Sequence, residues 1–120
     1  MSIVRKGPGD ARTELFGGEK TVTVWNLLGR LAAPPFSAVL SCELDPGGSV
    51  GRHVQQRDPE IVVGLEGDGE ATVDDATHSL GPGDVVYLAH GQVLSIANRS
   101  TETPLRYLII KALAPTPRES

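Results

Sequence analysis

The chain has 120 residues, with 11 Lys and Arg set against 15 Asp and Glu, for a formal net charge of −4. That acidic balance excludes a protein that grips nucleic acid through its phosphates, and no apolar run approaches the roughly 18 residues of a membrane span. A single cysteine, Cys42, excludes an internal disulfide and a multi-cysteine zinc site.

Residues 1–6 carry charge with no apolar stretch behind it, unlike a secretory leader, so the expected compartment is the cytoplasm. Gly (14) and Pro (9) are frequent and aromatics make up only 4%, so turns are many and the core must come from Val, Leu, Ile and Ala. This length supports one domain.

In chain order, residues 1–20 are rich in Gly and charge and read as an N-terminal arm, paired either with its own barrel or with a partner subunit. β-Branched runs then predict strands at 21–28, 37–44, 49–54, 60–65, 70–73, 77–80, 84–89, 93–98 and 105–113. Clusters such as Asp45-Pro46-Gly47-Gly48, Gly67-Asp68-Gly69 and Gly81-Pro82-Gly83 separate them, each built of residues that accept turn conformations. Only 29–33 offers as much as one helical turn, and the Pro-rich residues 114–120 read as a tail. Strands recurring at this spacing predict an all-β sandwich or barrel over 21–113.

The chemistry concentrates between Gly47 and Gly67. His53 and Gln55 are two residues apart on a predicted strand and share a face. Glu60 opens the next strand, and a hairpin around Asp58-Pro59 would return it beside His53. An imidazole, an amide and a carboxylate converging inside a small barrel cost free energy unless they satisfy one another or a ligand. The pair His53 and Glu60 therefore reads in three ways: a hydrogen-bonded remnant, a metal site, or a metal-free ligand or acid–base site. Cys42 reads as a small core residue, and Trp25 and Tyr87 as core anchors or cavity walls for a stacked ligand.

The spacing resembles the cupin superfamily. Its first motif runs Gly, five residues, His-x-His, three or four residues, Glu, six residues, Gly; Gly47, His53, Glu60 and Gly67 fall on it, with Gln55 at the second His. Its second motif runs Gly, five residues, Pro-x-Gly, two residues, His, three residues, Asn; Gly83, Gly91 and Asn98 fall on it, with Ala89 at the Pro and Leu94 at the His. The resemblance implies a jelly-roll barrel of the small single-domain type. It also implies a divalent metal held by His53, Gln55, Glu60 and the position of Leu94. Leucine binds no metal, and the remaining set suits a hard ion better than zinc. His90, in the turn four residues before Leu94, is the candidate substitute ligand.

The expected function is small-molecule binding in the barrel, with or without that metal. The alternatives are a cupin enzyme (isomerase or epimerase, decarboxylase or dioxygenase) using His53 and Glu60 as catalytic residues, and a structural dimer without chemistry. Cupins of this type imply a homodimer, and edge strands near 21–28 and 105–113 would form it, covering Val22, Val24 and Ile109.

Overall fold

A computed structural model of the chain describes residues 7–54 and 58–113. It contains β1 (Asp10–Thr13), β2 (Thr21–Asn26), β3 (Phe36–Leu44), β4 (Ser49–Val54), β5 (Glu60–Glu66), β6 (Gly69–Val73), β7 (Ala76–Leu80), β8 (Val85–Leu88), β9 (Val93–Asn98) and β10 (Leu105–Ala112). The only helix among the described residues is a 3-10 turn at Leu15–Gly17, too short and too exposed to cross a membrane.

The strands form two antiparallel sheets, a six-stranded one in the order β1-β2-β3-β10-β5-β8 and a four-stranded one in the order β4-β9-β6-β7. This is the expected all-β jelly roll. Strict alternation builds it: along β6 and β9 every second residue is buried, because period-two side chains of a strand point to opposite faces. Leu44, Val62, Leu80, Leu88, Leu94 and Leu105 are at most 1% exposed and fill the space between the sheets.

The motif glycines have a backbone reason. Gly47, Gly67, Gly83 and Gly91 all sit at positive φ, between 69° and 100°, where a Cβ meets its own carbonyl. Asn98, the last residue of the second motif, is 6% exposed. Its Nδ2 donates to the carbonyls of Thr103 (2.8 Å), Asp45 (3.1 Å) and Leu44 (3.2 Å), while its Oδ1 accepts from the Ser100 N–H at 3.0 Å. One amide thus ties the β3–β4 turn to the β9–β10 turn.

Three expectations are corrected. Residues 105–113 do not form an edge: β10 lies mid-sheet between β3 and β5, and β2 is covered by β1. Val22 and Ile109 are accordingly covered by their own chain, Val22 in the core and Ile109 packed against it. His53 and Glu60 are not hairpin neighbours either, because β4 pairs with β9 while β5 pairs with β10 and β8. The chain crosses from one sheet to the other between them, and the two residues belong to opposite walls.

The outer face of the larger sheet is apolar. Val39, Ile110, Ile61 and Tyr87 stand in one cross-strand row over β3, β10, β5 and β8, and Leu108, Val63 and Val85 stand in the next. Tyr87 and Val85 at the β8 edge are 62% and 61% exposed.

Candidate functional site

Between the sheets lies a cavity of about 170 Å³. Its larger-sheet wall carries Leu40, Cys42, Glu60, Tyr107, Ile109 and Lys111, and its smaller-sheet wall carries Val50, His53, Leu94 and Ile96. Leu15 and Phe16, from the 3-10 turn, close one side.

Glu60 is 3% exposed, and its Oε2 has no hydrogen-bond partner among the described residues. Burial raises its pKa, and the Lys111 ammonium opposes that shift. Glu60 and Lys111 are direct register partners across β5 and β10. Burial also pushes the Cys42 thiol up to about 12, so it stays protonated and hydrogen-bonds with the Tyr107 hydroxyl opposite it. The Tyr107 hydroxyl is likewise held in its neutral form by burial.

His53 is oriented on two sides. Its Nδ1 lies 3.1 Å from the Gly51 carbonyl, which can only accept, so Nδ1 carries the proton and Nε2 is the basic nitrogen of the neutral ring. Phe16 stacks on the imidazole with ring centroids 4.3 Å apart and planes 17° from parallel. The turn that delivers Phe16 depends on glycine: a Cβ on Gly51 would run into the Phe16 carbonyl, and one on Gly18 into that of Ser49.

The expected site residues divide as follows. His53, Glu60 and Leu94 line one cavity, with Leu94 the direct register partner of His53. Gln55 lies outside the described residues. His90 is exposed in its turn and does not line the cavity. Trp25 packs on the outer face, with Nε1 donating to the Gly7 carbonyl at 3.1 Å, and Tyr87 is exposed near His78 in a shallow depression. Sequence reasoning did not place Lys111, Cys42, Tyr107 or Phe16 in the cavity. Period-two alternation along 105–111 carried the signal for Tyr107 and Lys111; the Phe16 stack had none, because the turn before β2 is set by tertiary contact.

The donors present among the described residues do not fit the metal that the fold family implies. Among the described residues no three His, Cys, Asp or Glu come together in a way that could hold a metal ion. A carbon side chain, Leu94, stands beside His53, and Glu60 already faces an ammonium.

Comparison with known proteins agrees with the architecture. Residues 40–111 match the cupin domain family, and the chain belongs to it. Among solved structures, it is similar to a predicted oxalate decarboxylase from Thermotoga maritima (26% identity, TM-score 0.83, 95% of this chain and 100% of that one). It is also similar to a cupin 2 conserved barrel domain protein from Salinispora arenicola (25% identity, TM-score 0.67, 92% and 87%). The polyketide cyclase RemF from Streptomyces resistomycificus shares the fold at 19% identity (TM-score 0.71, 98% and 82%). No curated protein matches the chain by sequence.

Proposed function

We propose that this cupin binds a small organic molecule in the barrel cavity, between Glu60 and His53, without a transition metal. One observation carries the reading: a buried carboxylate oxygen with no hydrogen-bond partner among the described residues borders a mostly apolar cavity. A buried acceptor left unpaired costs about 1–3 kcal/mol, and a ligand donor removes that cost. The ammonium of Lys111 supplies the positive charge that a metal supplies in other cupins.

The test is a small-molecule screen by ¹H–¹⁵N NMR. Shifts should gather on β4, β5 and β10 and vanish in Leu94→Trp, which fills the cavity. Binders that still act on the filled barrel would overturn the reading.

A second reading, acid–base catalysis, is favoured by the tautomer of His53. Its basic Nε2 and the Glu60 carboxyl, kept protonated to higher pH by burial, come from opposite walls. That arrangement suits proton removal from one face of a substrate and delivery to the other, as in an isomerase or epimerase. Solvent deuterium incorporation into a bound molecule, lost in His53→Ala, is the distinguishing measurement.

For the chain's self-association we propose the outer face of the larger sheet. Its apolar rows would be buried between two copies, and beside them Arg106 is held in ion pairs with Glu43 (2.7 Å) and Glu66 (3.0 Å).

A further inference from the structure

We infer that the ligand of this cavity is an uncharged molecule about the size of one six-membered ring, bearing a hydroxyl group that donates to Glu60 Oε2. The inference rests on the proposed function and names the class of molecule. Size comes first. Apolar cavities of roughly 150 Å³ hold a benzene ring, and this one has about 170 Å³. Oxalate-sized molecules would leave much of it unfilled.

Shape and polarity come next. Apart from Glu60, Lys111 and His53, the walls are Val, Leu, Ile and two aromatics, together with a Cys42 thiol and a Tyr107 hydroxyl that already engage each other. Such walls hold a hydrocarbon body and offer few places for further polar groups.

Charge decides the rest. Glu60 and Lys111 are direct cross-strand partners, so their carboxylate and ammonium oppose each other within the same wall. A carboxylate ligand placed there meets Glu60, and an amine meets Lys111. Between mostly apolar walls either encounter is expensive. A neutral hydroxyl meets neither penalty and supplies what no described residue gives Oε2, a donor. A dianion such as oxalate is excluded on the same ground, despite the likeness to a predicted oxalate decarboxylase.

The experiment compares four probes on the full chain by NMR titration or calorimetry: phenol, toluene, benzoate and oxalate. Phenol should bind at least about tenfold tighter than toluene, the difference one hydrogen bond to a buried charged acceptor makes. Benzoate and oxalate should show no saturable binding. In Glu60→Leu the preference of phenol over toluene should collapse to near unity; Glu60→Met, also without a strong acceptor, serves if the leucine variant does not fold. Tighter binding of benzoate or oxalate, equal binding of phenol and toluene to the wild type, or a preference that survives both variants would overturn the ligand class while leaving the cavity reading intact. Failure of all four probes to bind would overturn the cavity reading, and this inference with it.

Discussion

Glu60 and Lys111 face each other across adjacent strands at the wall of a cavity that also holds His53. Neither β5 nor β10 alone contains this relationship, since the two residues are separated by most of the barrel's sequence. It places a fixed organic cation where the family resemblance leads one to expect an ion from solution.

The pair makes stability depend on pH in a definite direction. Burial raises the native pKa of Glu60 above its ordinary 4.5, so between those two values the native state binds more protons than the unfolded chain. Stability is therefore at its fullest below the ordinary value and falls as pH rises through the native one. Chemical denaturation of the wild type from pH 4 to 8 should show this loss. Glu60→Gln should flatten it, and Lys111→Met, which removes the opposing ammonium, should move it to higher pH. A Glu60→Gln profile parallel to the wild type would contradict the assignment.

Elemental analysis of protein purified without chelators should find transition metal well below one equivalent per chain, in the wild type and in His53→Ala alike. Leu94→His should change that. It would put a second imidazole directly across from His53, roughly 5 Å away at Cβ, and supply the third good donor beside Glu60. Retention of one zinc or nickel by this variant, and not by the wild type, is the anticipated result.

The Phe16 turn closes the cavity because Gly51 allows the two backbones to touch. Gly51→Ala should push the turn away, break the Phe16–His53 stack and cost about 1–3 kcal/mol, as overpacking does. Phe16→Ala should cost less, about 1 kcal/mol for the lost ring pair, and should speed ligand dissociation. Equal effects of the two changes would place the turn outside the site's machinery.

Asn98→Leu should destabilise the barrel by about 2–4 kcal/mol, because three carbonyls and one N–H lose a shared partner. Ligand affinity of the folded fraction should hardly change, since Asn98 does not line the cavity. Urea titration combined with probe binding separates the two effects.

Tyr87→Lys should leave stability nearly unchanged, as the residue is 62% exposed. If the outer rows meet in a dimer, it should shift the sedimentation coefficient to that of a monomer. A wild type that sediments as a monomer at tens of micromolar would remove that face from consideration.

Much of this protein was legible in the sequence, and for a local reason. Period-two burial, β-branched runs and turn residues act over a few neighbours, so β4 (Ser49–Val54) and β9 (Val93–Asn98) were readable to the residue, and Gly47, Gly67, Gly83 and Gly91 marked the turns that need positive φ. The motif spacing likewise selected His53, Glu60 and Leu94 as residues of one cavity. Pairing across the barrel was not legible, because which strands become neighbours depends on how two sheets close over a common core. That closure put Lys111 opposite Glu60, sent His53 and Glu60 to opposite walls, and laid Phe16 on the imidazole. It also moved β10 from the expected edge to the middle of a sheet. Local chemistry determined which residues would turn inward; only the tertiary fold decided what each would meet there.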